Sequence, residues 1–298
     1  MQHQQTVAKY AILDDSLIVI LDSRNATKYN NGSFHSSVTF NLLEPIYKQR
    51  DVIQMRCSLV SFICPVSFYQ INYTNNIFNI QLNNIAYKIT IPDGNYQPQN
   101  FISTILALLP SGFSMSLNNI TNKFKLTHNA YDFKIFGNSS SINMVMGFSN
   151  SEVYTSNSLN FIFPYCCNFS GLNNLNIHWA NTTTGNIDSY NETVSSIIAS
   201  IPVNTPPGGV IIYEKKYDFK FGTNDDSIGC IVIDLQDDLE NYLDLNNQHW
   251  NMTLQFDKKR EHTMRQNSFF DIIHHIPMNT FSKNQAMEEI FEEEMQDN

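Results

Sequence analysis

Charge is scarce in this sequence. Asp, Glu, Lys and Arg make up 15% of its 298 residues, with 18 Lys and Arg set against 28 Asp and Glu. The net charge of −10 argues against a chain that binds nucleic acid over its whole surface, because neutralising phosphates needs cations. The basic cluster Lys258, Lys259, Arg260, His262 and Arg265 is local; it reads as a solvated strand end or as a patch that meets an acidic neighbour. Long apolar runs are missing as well. Residues 17–21 are apolar but flanked by Asp14, Asp15 and Asp22, far short of the ~20 residues of a membrane-spanning helix, and no apolar signal region opens the chain. The five cysteines (Cys57, Cys64, Cys166, Cys167, Cys230) are odd in number and fit no zinc spacing. They point to synthesis in a reducing cytosol with free, mostly buried thiols.

The motifs of catalysis are equally absent. There is no Gly-X-Ser-X-Gly elbow, no phosphate-binding loop and no dinucleotide fingerprint. His274-His275 is an adjacent pair without a His-Glu-X-X-His pattern. The acidic run Asp234, Asp237, Asp238, Glu240 and Asp244 lacks the glycine and spacing of a calcium loop and reads as a solvated edge. Cys166-Cys167 reads as a buried pair of small apolar side chains rather than a reactive thiol. Trp179 and Trp250 could serve a glycan-binding face, but aromatics at alternating strand positions fit a core better. No catalytic, metal or cofactor-binding residue is assigned.

What the sequence has instead is asparagine, about one residue in eight, well above average usage. Asn tolerates positive φ and favours turns, which suits many short strands joined by tight loops. Strand patterns cover residues 17–21, 38–43 and 52–64, the last stopped by Pro65. Phe78, Ile80 and Leu82 then alternate with polar residues, Asn83-Asn84 signals a two-residue hairpin, and Tyr87, Ile89 and Ile91 alternate on the return. Pro98 fits the first position of a helix whose apolar face carries Phe101, Ile102, Ile105, Leu106, Leu108 and Leu109. Strands follow around Met115, Phe124 and Phe133. Ser139 or Ser140 is then expected to cap a short helix ending at Met146, with Gly147 as its left-handed stop. Beyond a polar loop the β pattern resumes at 172–179, 194–203, 209–213, 217–221, 229–235 and 249–256.

Two of the strands before Pro65 and the six after residue 172 make the eight of a jelly roll. The expected fold is therefore mainly β: a single jelly-roll β-sandwich with an inserted α+β module. Residues 16–66 and 155–257 would form the jelly roll, 67–154 the module, 1–15 a flexible arm and 258–298 a C-terminal tail. Two tandem β domains split near residue 155 are the alternative. In the tail, Ile290 and Phe291 sit among Glu288, Glu289, Glu292, Glu293 and Glu294, a frayed acidic helix or a segment that docks on a partner.

One ordered set of segments resembles a known family. It comprises Asp22-Ser23-Arg24, Pro65, Tyr69-Gln70-Ile71, Asn75-Asn76-Ile77-Phe78, Ile91-Pro92-Asp93-Gly94-Asn95-Tyr96 and Met146-Gly147-Phe148. Further on come Ile201-Pro202-Val203, residues 209–213, 234–238, and Trp250-Asn251-Met252-Thr253-Leu254. Over residues 18–257 this order resembles the minor capsid and penton proteins of virophages, Polinton-like viruses and nucleocytoplasmic giant viruses. The resemblance implies a non-enzymatic, jelly-roll capsid protein of the virion, made in the host cytoplasm. Its implied role is the vertex penton, a homopentamer contacting the major capsid protein. A non-vertex minor capsid protein that cements capsomers, beside other minor capsid proteins, is the alternative. Gly94, Tyr96 and Gly147 match the family pattern as turn and packing positions, and no catalytic residue or cofactor comes with it. A glycan-binding attachment module and a β-sandwich hydrolase are the competing readings. The first needs an exposed aromatic cluster, the second a pocket with two convergent carboxylates.

Overall fold

The computed structural model describes residues 9–47, 52–179, 195–216, 220–223 and 227–263, without the side chains at 9–15, 52–54 and 259–263. Four strands come first: β1 (Lys9–Asp22), β2 (Lys28–Tyr29), β3 (Ser37–Tyr47) and β4 (Val52–Pro65). A mixed segment follows with β5 (Ile77–Leu82), β6 (Ile85–Thr90), α1 (Pro98–Leu108), β7 (Phe113–Asn118), β8 (Lys123–His128) and β9 (Phe133–Phe136). It closes with α2 (Asn143–Met146), β10 (Val153–Thr155) and β11 (Asn160–Ile162). The last strands are β12 (Asn174–Trp179), β13 (Ile197–Pro202), β14 (Val210–Glu214), β15 (Phe221–Gly222), β16 (Ser227–Gln236) and β17 (Asn251–Thr263).

Two sheets carry the main fold. One runs β1-β17-β4-β14, with β15 also on β4; the other runs β13-β12-β16-β3-β2. With the two-residue stubs β2 and β15 set aside, eight strands of these two sheets remain among the described residues. The first pairs with the last (β1/β17), the second with the seventh (β3/β16), the third with the sixth (β4/β14) and the fourth with the fifth (β12/β13), all antiparallel. That nesting is one long hairpin rolled into two layers, a jelly roll. Both sheets mix strands from either side of the middle segment, so a tandem split near residue 155 is not how this chain folds.

The winding follows from alternation. Along β17, Met252, Leu254 and Phe256 are buried while Asn251, Thr253 and Gln255 face outward. Trp250 is fully buried beside Phe40 and Phe62, at ring separations of 6.1 and 6.0 Å. Trp179 from the other sheet packs edge-on against Phe221 and Phe256. Each such side chain contributes about 1.5–3 kcal/mol on leaving water.

A second buried cluster shares no residue with the first. The sandwich cluster draws on residues 21–68 and 175–256; the other draws on residues 71–163. Around the latter, one sheet runs β10-β9-β5-β6, another runs β11-β8-β7, and α1 buries Phe101, Ile102 and Ile105. The β5–β6 hairpin forms as the Asn-Asn signal predicts, with both turn residues left-handed (Asn83 φ 47°, Asn84 φ 62°). Pro98 opens α1.

Several expectations are corrected. Among the described residues the eight strands divide three up to Pro65 and five after residue 172; of the expected strand at 217–221, residues 220–221 are described and Phe221 lies in β15. Residues 217–219 lie outside the described residues. Residues 9–15 are strand, not a flexible arm, and residues 258–263 extend β17 instead of starting the tail: the two stretches pair with each other from Lys9↔Thr263 to Asp15↔Lys258. Backbone hydrogen bonding between neighbours leaves no trace in side-chain alternation, so this extension was invisible in the pattern. The second cluster runs past residue 154 to Phe163 because β10 and β11 belong to it; strands of three residues are too short to show a period. Neither Ser139 nor Ser140 caps α2. Its N-cap is Ile142, while Ser140 Oγ takes the Asn79 N–H and donates to Phe136 O. On α1, Leu108 is 40% exposed, leaving a narrower apolar face than expected.

Candidate functional site

The sequence-predicted positions serve two separate loops. Gly94 exchanges backbone hydrogen bonds with Ile71 (2.8 and 3.0 Å), and a Cβ there would lie 3.2 Å from the Tyr96 ring. Tyr96 donates its N–H to Gln70 Oε1 (2.9 Å) and its hydroxyl to Pro92 O (2.7 Å), and sets its ring edge-on to Phe101. Together they pin the 92–96 loop onto the 70–71 segment. Gly147 ends α2 at φ 82°, bonds to Asn143 O through its N–H and accepts Tyr165 N–H at 2.9 Å. A Cβ on it would fall 2.4 Å from Tyr165 O. The predicted tail residues Ile290, Phe291 and Glu292 lie outside the described residues, as do His274 and His275.

The residue types of hydrolytic chemistry meet at one place. Ser23 Oγ accepts the Trp250 N–H (2.9 Å) and sits 3.3 Å from His249 Nδ1. His249 stacks on His35, which stacks on Tyr29, with centroids 4.9 and 4.4 Å apart. The Ser23 hydroxyl is fully buried, however, and the Asp22 carboxylate is held by the Arg24 guanidinium and backbone, which keep its pKa below the usual carboxylate value. Burial first, and then the charge of His35, lower the pKa of His249. No acyl group can reach a hydroxyl so enclosed, and the cluster closes one end of the sandwich.

The remaining candidates are structural in their geometry. Trp179 and Trp250 are both fully buried, so neither builds an exposed glycan face. Cys57 and Cys64 are buried free thiols, and burial pushes Cys64 up to about 12. Cys166 is exposed and Cys167 half-buried, against the expected buried pair; the 164–168 segment crosses the surface over Gly147, and only one of two consecutive side chains can turn inward. In the acidic run, Asp234 accepts Ser37 Oγ, and Asp237 accepts the N–H groups of Leu239 and Asn241 at 2.8 Å each. No group of three His, Cys, Asp or Glu side chains converges on a metal-sized centre among the described residues.

Surface features that sequence reading missed are more informative. The outward face of the β1-β17-β4-β14 sheet carries two aliphatic patches. Ile18 and Ile20 lie on the β1 margin, 50% and 75% exposed. Ile63, Val210 and Ile212 lie on the β4–β14 margin, with Ile63 and Ile212 directly paired. Between them run Asn251, Thr253, Gln255 and Ser61. The alternation that marks the inward residues also marks these, but it cannot tell which face is which when both carry isoleucine. A groove of about 380 Å³ opens between the two buried clusters, formed by residues 68–75, 168–173 and 237–244 with Asp93, Met144 and Val145. Its wall carries Tyr69, Tyr73 and Tyr242, and Tyr73 donates its hydroxyl to Tyr242 O at 3.2 Å. No spacing rule joins segments so far apart in sequence.

Among solved structures, the chain matches a crystal structure of the selenomethionine-labelled mavirus penton protein, over 82% of this chain and 100% of that one, at 10% sequence identity and a TM-score of 0.45. No family model matches the sequence, and no curated protein does.

Proposed function

We propose that this chain is a structural virion protein, a jelly-roll subunit of the capsid that acts through its surfaces and turns over no substrate. The observation that carries the reading is the winding itself: an eight-strand rolled hairpin whose outward sheet face bears two separate aliphatic patches. A closed ring needs heterologous contacts between two different patches, whereas a two-fold dimer needs one self-complementary patch. Ile18 and Ile20 stand about 14 Å across the sheet from Val210 and Ile212, three strand spacings away. Further support comes from the family-like segments of the sequence, which fall on turns and strand starts of this frame: Asp22-Ser23-Arg24 after β1, the Gly94–Tyr96 loop, and Trp250 before β17.

The finer reading is a vertex penton: five copies around an icosahedral vertex, seated against the major capsid protein and neighbouring minor capsid proteins. Residues 67–154, extended through Phe163, would form a module inserted between β4 and β12 and carried outward from the shell.

The native mass of the purified protein tests this. Wild type should form a pentamer, and Ile20→Asp and Ile212→Asp should each leave a folded monomer, since both side chains are exposed. Mixing the two variants should restore one contact per pair and give heterodimers. A five-fold mass for wild type supports the penton; a different closed oligomer supports the non-vertex protein. A wild-type chain that stays monomeric and absent from shells of the major capsid protein rejects the capsid reading.

A further inference from the structure

We propose that the groove between the two buried clusters is a docking site for a cationic peptide segment, an extended stretch of another polypeptide that presents arginine or lysine. Its volume, about 380 Å³, lies within the ~300–1,000 Å³ of ordinary ligand clefts. Its surface is mostly apolar, lined by Phe68, Val145 and Phe169 together with Tyr73 and Tyr242. Four carboxylates rim it, Asp93, Asp237, Asp238 and Asp244, and no Lys, Arg or His lines it.

That combination selects one chemistry. An arginine side chain has an apolar stem, a planar cation that stacks on tyrosine, and a fork that fits a carboxylate. An anionic occupant would face like charge, and a purely aliphatic one would desolvate the carboxylates without neutralising them. The rim is also held in place before anything binds. Asp237 is fixed by the Leu239 and Asn241 amides, Asp244 by the Asn246 amide, and Asp93 by Asn76 Nδ2. Burial first, and then Asp237 and Asp244, raise the Tyr73 pKa, so the negative field reaches into the groove.

The basic stretch of β17 does not supply the cation. Its basic cluster begins at Lys258 on β17, which starts at Asn251 next to the groove-lining loop and runs away from it. At about 3.3 Å per residue, Lys258 to His262 stand roughly 25–35 Å off. The acidic run Glu288, Glu289, Glu292, Glu293 and Glu294 would be repelled by the rim. The inference stands on the groove alone and does not depend on the capsid reading.

Fluorescence anisotropy of a fluorescein-labelled octapeptide of alternating Gly and Arg tests it on the full chain at physiological ionic strength, with the Gly-Glu octapeptide as its counterpart. The Arg peptide should bind and the Glu peptide should not. Asp238→Lys, at an exposed rim position, should weaken binding about tenfold or more. Tyr242→Ala should weaken it without changing charge. Glu214→Lys, the same charge reversal on exposed β14, should change it less than about twofold. Circular dichroism checks that each variant is folded. Absence of Arg-peptide binding overturns the proposal. So does equal weakening by Glu214→Lys, which would mean diffuse attraction to a chain of net charge −10. Concentration-dependent self-association abolished by Asp238→Lys also overturns it, because the occupant would then be a second copy.

Discussion

Two glycines with the same backbone angle permit a clean measurement of what a single Cβ costs. Gly147 and Gly208 both sit at φ +82°, but a Cβ on Gly208 would meet nothing within 4 Å, whereas one on Gly147 would lie 2.4 Å from Tyr165 O and 2.8 Å from Cys166 O. Gly208→Ala therefore isolates the left-handed penalty, about 1–2 kcal/mol. Gly147→Ala carries the same penalty and must also push the 165–166 backbone away. That movement breaks the Tyr165 N–H to Gly147 O bond and strains the paired Gly147 and Phe148 amides on Asn143 O. A buried backbone group left unpaired costs about 1–3 kcal/mol, so the total is about 2–5 kcal/mol, a large part of the ~5–15 kcal/mol that holds an ordinary domain together. At about 2–4 °C per kcal/mol for a chain of this size, Gly208→Ala should lower Tm by roughly 2–8 °C and Gly147→Ala by roughly 4–20 °C. Both tryptophans belong to the sandwich cluster. Trp fluorescence therefore follows the sandwich, while far-ultraviolet circular dichroism follows all secondary structure. Gly147→Ala should bring the dichroism transition down ahead of the fluorescence one, and Gly208→Ala should move both together. Equal destabilisation by the two substitutions would refute the reasoning, since the two residues share φ and differ in what a Cβ would meet.

Acid should destabilise the sandwich through Asp257. Burial raises that carboxyl's pKa, but Ser16, Gln255 and the Lys220 ammonium, an ion-pair partner of Oδ2 at 3.1 Å, outweigh it and leave the pKa below the ordinary carboxylate value. The stabilisation is present above the unfolded-state value of about 3.9 and should fade as pH falls from there through the lower folded value, which urea unfolding between pH 6 and 3 would follow. Lys220→Met strands the buried carboxylate and should cost about 3–5 kcal/mol at neutral pH; a loss within error would remove the pair from any structural role. Thiol labelling of the native protein should reach exposed Cys166 first and leave Cys57 and Cys64 unmodified until unfolding, because burial holds both as protonated thiols. Modification of Cys64 at the rate of Cys166 would contradict the packed sandwich.

Local features with a period or a turn signature were readable in the sequence. Alternation at Met252, Leu254 and Phe256 marks the inward face of β17, and Asn83-Asn84 marks its hairpin, because side-chain direction and positive φ are properties of a few consecutive residues. Pairings that depend only on backbone were not readable, which is why residues 9–15 and 258–263 passed for arm and tail. Ser23 and His249 show the same limit in chemistry: their proximity appears only in three dimensions, and so does the burial that disables it.

The amino-acid order by itself determined a mainly β chain with a helix-bearing middle segment, since alternation, proline and asparagine act over distances of a few residues. The two aliphatic patches and the carboxylate-rimmed groove were decided by tertiary structure alone. The β4–β14 patch and the groove are assembled from segments separated by tens to hundreds of residues, the β1 patch is set opposite them across the sheet, and only the rolling of the strand hairpin and the packing of a second cluster against its end bring these parts together.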